Sequence, residues 1–241
     1  MKRILLPMLG ILLLTACEKA AVAPAEAEGD HSLDLRAEKV TVLHKTGSAD
    51  HPWEVIEVSN QAWVNAHMDH GDKIVGDTHE GGIIFYLTST PTDLNADGNP
   101  DLGLVAANND FPVNGSPAKY AWGCYGPLIS GADGTAIGTG AQNTLDILGA
   151  CTVANTAAHL ADAYSGGGYD DWFLPSQDEL DLMYQKLHLN GVGDFTGTTY
   201  WSSSEAYTGT YGDVWYHRFT TGYQGVAGRT VPLWVRAVRA F

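Results

Sequence analysis

The chain has 241 residues, with 28 acidic and 13 basic side chains and a formal net charge of −15. Nucleic-acid binding needs a basic surface that contacts the phosphates, so this balance argues against nucleic acid as a partner. It also argues against a sulfated or otherwise polyanionic ligand, unless the few cations cluster.

Residues 1–16 have the pattern of a signal peptide. Lys2 and Arg3 precede an apolar run over residues 4–14, which is shorter than the roughly 20 residues of a membrane-spanning helix. The following Leu-Thr-Ala-Cys resembles the lipobox of bacterial lipoproteins, which implies that Cys17 becomes the lipidated first residue. Glu18 stands where Asp would indicate inner-membrane retention, so the resemblance implies an outer-membrane lipoprotein, facing either the outside or the periplasm. The alternative is an ordinary signal peptide with a chance Cys.

Residues 17–36 follow as a lipidated Cys and a tether. This segment is rich in Ala, Glu and Pro and has few large apolar residues, so it predicts a flexible linker. Removal of residues 1–16 with their two basic side chains leaves 11 basic and 28 acidic residues, a net charge of −17.

Residues 37–80 predict a small β-rich module that contains several histidines. Two alternating runs, 39–45 and 53–59, predict strands, and residues 60–70 predict a short helix that ends at Gly71. The segment is similar to one found in secreted bacterial proteins, with Leu43 in the place of a Cys, but no function follows from that likeness.

The histidines of this module have two interpretations. His67 and His70 would share one face of the helix, and His44 or His51 would supply a third ligand for zinc or copper. The alternative is a set of surface or capping histidines.

Residues 81–241 predict a single α+β domain with short, mainly antiparallel strands and two main helices. The first helix is predicted within 153–164. The second is predicted within 175–187, where Ser176 and Glu179 have the spacing of a capping box. The first and last strands of the domain are expected to pair.

The segment DLNADGNPD, residues 93–101, resembles the first three-quarters of an EF-hand calcium loop. Oxygen-bearing side chains alternate and Gly98 permits the turn, but Leu104 stands where an EF-hand has Glu. Either the loop holds a structural Ca²⁺ between two strands, or it is an Asx-rich turn stabilised by its own hydrogen bonds. The predicted calcium ligands are Asp93, Asn95, Asp97, Asn99 and Asp101.

Two cysteines remain after Cys17, and an even pair in an oxidising compartment is more often a disulfide than a metal site. A bridge between Cys124 and Cys151 is therefore expected, with two buried thiols as the alternative.

Several motifs resemble the Lcl C-terminal domain family, in the same order along residues 81–241: GGIIFYL, LGLVAAN, WGC, AIGTGAQNT, SGGGYDDWFLPSQDEL, YWSSSE and VRAVRAF. The resemblance implies a C-type-lectin-like fold and an adhesin or ligand-binding module with glycan binding, and it implies no reaction. The chain lacks a collagen-like stalk, so its oligomeric state stays open. The domain has 6 basic and 15 acidic residues, so sulfated-glycan binding is not carried over.

The aromatic stretch 205–230 has the composition of evolved binding surfaces, although packing of an aromatic β core would also explain it. Strand alternation sends Trp215, His217 and Phe219 to one face and Val214, Tyr216 and Arg218 to the other. The predicted ligand-binding residues are Tyr207, Tyr211, Asp213, Trp215, Tyr216, His217 and Tyr223.

No nucleophile motif such as G-x-S-x-G accompanies the serines at 202–204, so we expect no enzyme. The sequence predicts a surface-anchored lipoprotein with a lectin-like, adhesin-type domain, attached to the membrane by lipid and binding an extracellular glycan or protein. The alternatives are a structural envelope lipoprotein without a small ligand and a metal-dependent enzyme built on the histidines.

Overall fold

The computed structural model describes residues 38–113, 116–207 and 212–241. Their fold is mixed α+β with mostly antiparallel sheets. The strands are β1 (Lys39–Lys45), β2 (Trp53–Ser59), β3 (Thr78–His79), β4 (Gly82–Thr92), β5 (Asp101–Ala107), β6 (Pro112–Val113), β7 (Ser116–Pro117), β8 (Thr199–Ala206), β9 (Asp213–Arg218), β10 (Tyr223–Gly228) and β11 (Val238–Ala240). The α-helices that follow β7 are α1 (Gly140–Ala150), α2 (Ala157–Asp162) and α3 (Gln177–Lys186).

The small module is a hairpin of β1 and β2, in the two segments that the sequence predicted. The helix predicted after β2 is a short α-helical turn (Asn60–Ala62) followed by a π-helical turn (Trp63–His67). Leu43, at the centre of β1, is buried in a core cluster that also contains Ile84 and Val105 of the larger domain. The module therefore packs on the domain through β1.

A four-stranded sheet in the order β11-β5-β4-β3 is buried on both faces. Successive side chains of β4 enter different core clusters, because Ile84 faces one cluster and Phe85 the other. The expected pairing of the first and last strands is wrong, since β11 pairs with β5 and places Val238 opposite Ala106. The short strand β3 occupies the other edge of β4, so the chain end can join the sheet only at β5.

The helix beginning at Ser176 has the predicted capping box, because the Ser176 hydroxyl accepts from Glu179 N and the Glu179 carboxylate accepts from Ser176 N. The structure corrects the number of helices, since α1 was not predicted. Two polar residues of α1, Asn143 and Thr144, are buried and bonded to Gly134 and Leu174, respectively. The buried face of α1 thus includes two polar residues whose hydrogen bonds join the helix to neighbouring segments. None of the helices in the described ranges has the length and apolarity needed to cross a membrane.

The three-stranded sheet in the order β10-β9-β8 packs against α3 and carries the aromatic stretch. The predicted disulfide is confirmed: Cys124 and Cys151 are joined at an S–S distance of 2.02 Å, and Cys151 directly follows α1. The bridge fixes the segment around Cys124, which runs beside Arg229 at the end of β10.

Two arginines near the chain end are buried. Arg236 Nε donates to Asp110 Oδ1 at 2.8 Å, and Arg239 forms ion pairs with Asp171 and Glu80. These pairs provide partners for the buried guanidinium groups and attach residues 236–239 to the segments that contain Asp110, Asp171 and Glu80.

Candidate functional site

The β8–β9–β10 sheet has two ends, and the predicted ligand-binding residues are divided between them. At the first, here called the Asp213 end, Ala206 of β8 lies opposite Asp213, which lies opposite Gly228 of β10. At the second, the Tyr223 end, Arg218 of β9 lies opposite Tyr223. The predicted residues therefore do not form one continuous surface. Tyr211, like Cys17, lies outside the described residues.

A small pocket of about 110 Å³ lies at the Asp213 end. It is lined by Tyr125, Gly126, Gly212, Asp213, Gly228, Arg229 and Thr230. Tyr125 is 71% exposed, and Tyr207, which directly follows Ala206, is 84% exposed. Pockets for whole drug-sized ligands have about 300–1,000 Å³, so this one fits only one end of a larger ligand.

Arg229 forms the buried side of this pocket. Its guanidinium pairs with the buried carboxylate of Glu205 and donates to the carbonyls of Cys124 at 3.2 Å and Pro127 at 2.9 Å. It also lies 5.2 Å from the centre of the Trp122 ring. Burial lowers the pKa of Arg229 from its usual value. Within the described part of the chain, Arg229 Nε is buried and has no hydrogen-bond partner.

The backbone around Tyr125 is held on both sides. Cys124 is fixed by the disulfide, and the Arg229 guanidinium binds the carbonyls of Cys124 and Pro127. Sequence reasoning missed both Tyr125 and Arg229 as site residues. An aromatic residue between a bridged Cys and a Gly-Pro pair was the available signal for the first, whereas nothing local marked Arg229.

His217, predicted as a ligand-binding residue, lies in the interior. Its Nε2 is 2.9 Å from Asp181 Oδ1 in α3, and its ring packs on Tyr184 with centroids 4.6 Å apart. Burial lowers the pKa of His217, although Asp181 acts in the opposite direction. The residue is internal because α3 covers this face of β9. Trp215, on the same face, is half-buried.

The Tyr223 end presents a flatter aromatic cluster. Tyr216 and Tyr223 have ring centroids 6.4 Å apart, and the Arg218 guanidinium lies 5.8 Å from the centre of the Tyr223 ring. A side chain at Gly225 would place its Cβ 2.8 Å from the Tyr216 hydroxyl, so glycine provides the space for these rings. Tyr223 is 55% exposed. This cluster can stack against a ligand but does not surround one.

The predicted calcium loop connects β4 and β5 and is closed by its own hydrogen bonds. Asp93 accepts from Asn95 N and Gly98 N, and Asp97 accepts from Asn99 N at 2.7 Å. Asp101 accepts from Leu94 N at 2.7 Å. These are the bonds expected of an Asx-rich turn.

The carboxylates of this loop are not gathered around a common point. In the described ranges, the one set of three or more His, Cys, Asp or Glu ligand atoms within 4.8 Å of one another lies elsewhere, at His44, His67 and Asp72. Burial, with the charges of Asp97 and Asp93, raises the pKa of Asp101 against the effect of its hydrogen bond. A Ca²⁺ bound by all five predicted ligands would require the loop to close further, and the calcium site stays a prediction.

The histidines of the small module form a different cluster from the predicted one. His44 Nδ1 lies 2.9 Å and His67 Nδ1 2.7 Å from the same oxygen, Asp72 Oδ2. His70, expected beside His67, is exposed and does not belong to this cluster. Sequence reasoning did not consider Asp72, although it follows the histidine-rich turn directly.

The serines at 202–204 are buried in β8 and bonded within the fold. Ser202 Oγ donates to the Trp215 carbonyl at 2.8 Å, and Ser204 Oγ donates to the Gly134 carbonyl at 2.6 Å. Ser203 Oγ accepts from Asn143 Nδ2 at 3.1 Å. These bonds explain the serine run as a structural feature.

A larger open groove of about 670 Å³ lies where the small module meets the β4–β5 hairpin. Its lining includes Trp53, Pro91 and Pro100. The Trp53 ring packs edge-on against His79 at a centroid distance of 5.0 Å, so only part of it faces the groove. The groove is the competing location for a ligand.

No protein-family model and no curated protein matches the chain. The resemblance to the Lcl C-terminal domain family therefore rests on the motifs alone.

Proposed function

We propose that the protein is a surface-anchored lipoprotein whose domain at 81–241 has a C-type-lectin-like fold and binds an extracellular glycan, as an adhesin does. The observation that carries the proposal is the pocket at the Asp213 end. There the exposed Tyr125 stands beside a carboxylate, a hydroxyl and a buried, fixed guanidinium.

This arrangement suits the chemistry of a sugar. A tyrosine ring offers a rigid apolar face together with a polar end, and it can cover the less polar face of a sugar ring. Asp213 and Thr230 can form hydrogen bonds with sugar hydroxyls. The buried Arg229 guanidinium holds the backbone on both sides of Tyr125 through the carbonyls of Cys124 and Pro127. The small volume favours recognition of the end of a glycan chain over enclosure of a whole ligand.

The distribution of charge favours a neutral or basic glycan over a sulfated one. Three of the six basic residues of the domain, Arg229, Arg236 and Arg239, are buried in ion pairs. Of the remaining three, Lys186 ends α3, Arg218 ends β9 and Lys119 lies between β7 and α1, in a domain with 15 acidic residues. An extended sulfated chain would need several exposed cations along one surface.

The membrane part of the proposal rests on Cys17. Acyl chains contribute about 0.8 kcal/mol per buried CH₂, so several chains on one residue anchor a protein firmly. Replacement of this residue (Cys17→Ser) should release the protein from the membrane fraction or leave it unprocessed. Unchanged acylation and extraction only by detergent would contradict lipidation at this position.

A glycan array probed with the detergent-solubilised full chain tests ligand binding. We expect signals on neutral or amino-bearing glycans that are lost in Tyr125→Ala and retained in Trp53→Ala. Loss only in Trp53→Ala would place the ligand in the larger groove instead. Binding to no glycan would favour a structural envelope lipoprotein and overturn the proposal.

A further inference from the structure

Three separate segments of the small module converge on one buried carboxylate. His44 lies near the end of β1, His67 ends the π-helical turn, and Asp72 follows that turn. The backbone of Leu43 and Lys73 pairs in both directions, at 2.8 and 2.9 Å, which holds Asp72 against β1. These two backbone hydrogen bonds therefore fix the position of Asp72 relative to His44.

The π-helical turn is a second, independent feature of this site. Met68 N donates to the Trp63 carbonyl at 3.0 Å, a bond that spans five residues instead of four. Such turns are rare and occur frequently at functional sites. Here the turn brings the His67 ring to Asp72, and it leaves His70 exposed.

The side-chain geometry matches a metal donor set. Both Nδ1 atoms lie within 2.9 Å of Asp72 Oδ2, and Asp72 Oδ1 accepts from Lys45 N at 2.8 Å. That backbone bond orients the carboxylate in the way that outer partners orient metal ligands. Two imidazole nitrogens and one carboxylate oxygen are typical of zinc sites that keep one position open.

We propose that His44, His67 and Asp72 bind a divalent transition-metal ion, in the first place Zn²⁺, through both Nδ1 atoms and the Asp72 carboxylate. Zinc bonds of about 2.0–2.2 Å in a tetrahedral site put neighbouring ligand atoms at about 3.3–3.5 Å. The imidazoles therefore have to move outward by roughly half an ångström from their present contacts with Asp72. Both are partly exposed, so they have room to do so.

Metal binding also changes the position of the imidazole hydrogens. In the present arrangement each Nδ1 donates a hydrogen to Asp72 Oδ2, whereas a bound metal takes the Nδ1 lone pair and leaves the hydrogen on Nε2. The fourth position would be open to water or to another ligand. An open pocket of about 450 Å³ is lined by Asp72 and Asp77 and lies beside the turn. The ion would join the π-helical turn to β1.

Isothermal titration calorimetry tests this site: Zn²⁺ is added to the full chain in detergent after EDTA has removed bound metal. We expect saturation at one ion per chain, with affinity weakened by about tenfold or more in His67→Gln and in Asp72→Asn. His70→Ala removes a histidine of the same turn and should bind like wild type. Co²⁺ should give the visible absorption of a tetrahedral site in wild type and His70→Ala, but not in His67→Gln.

Circular dichroism shows whether each variant folds. If Asp72→Asn does not fold, His67→Gln still tests the site, because it keeps a polar side chain of similar size. The absence of saturable Zn²⁺ binding in wild type would show that the cluster is only a hydrogen-bonded hub, and would overturn the proposal. Equal losses in His70→Ala and His67→Gln would also overturn it, because binding would then belong to surface histidines.

Discussion

The two ends of the β8–β9–β10 sheet have similar compositions but different supports. At the Asp213 end, the exposed Tyr125 stands beside a buried Arg229–Glu205 pair and a disulfide. At the Tyr223 end, Arg218 is exposed and its guanidinium lies over the exposed ring of Tyr223. An aromatic composition thus indicates a surface suited to binding, but the fixed polar groups beneath it decide which part can hold a ligand in one orientation.

The largest expected difference between the two ends is in stability. Arg229→Ala should lower the free energy of unfolding by about 3–5 kcal/mol, because Glu205 would remain buried without its partner. The matched change at the Tyr223 end, Arg218→Ala, should stay within about 0.5 kcal/mol because the side chain is exposed. Urea denaturation measures both, and similar losses would remove the distinction between the ends.

The disulfide gives a second way to weaken the Asp213 end alone. It closes a loop with a sequence separation of 27 residues, so the double variant Cys124→Ser with Cys151→Ser should lose about 3–4 kcal/mol. A reductant should destabilise wild type by a similar amount and leave the double variant unchanged. A double variant as stable as wild type would show that the bridge does not support this end.

Features that depend on neighbouring residues could be predicted from the sequence, whereas those that depend on tertiary contacts could not. The strands of the small module and the capping box of α3 were predicted because their signals are local: side-chain alternation for the strands, and the spacing of Ser176 and Glu179 for the helix. Helix α1 was missed because its buried face includes the polar residues Asn143 and Thr144, whose hydrogen-bond partners Gly134 and Leu174 lie outside the helix.

The candidate site was predicted only in part for the same reason. Alternation along β9 separated two rows of side chains, but it could not show that α3 would cover His217. Arg229 acquires its role from Glu205 and from backbone carbonyls about one hundred residues earlier in the chain. Asp72 was missed because a regular helix over residues 60–70 would place His67 beside His70, whereas the π-helical turn brings His67 to Asp72.

The loop at 93–101 is separate from both ends and should leave their difference unchanged. If the loop binds Ca²⁺, saturation at a hundredfold excess over Kd adds about 2.7 kcal/mol of stability. EGTA should then lower the melting temperature of wild type and of Asp133→Ala, an exposed Asp elsewhere, but not that of Asp97→Ala. Identical melting of wild type and Asp97→Ala in calcium and in EGTA would show that the loop is only a hydrogen-bonded turn.

The most direct test of the central claim is the affinity of a glycan selected on the array, measured by calorimetry for wild type, Tyr125→Ala and Tyr223→Ala. Both variants remove an exposed tyrosine ring, one at each end of the sheet. We predict that Tyr125→Ala weakens binding by about tenfold or more, equivalent to about 1.4 kcal/mol, whereas Tyr223→Ala changes it by less than about twofold. Equal losses, or a loss confined to Tyr223→Ala, would contradict a binding site at the Asp213 end.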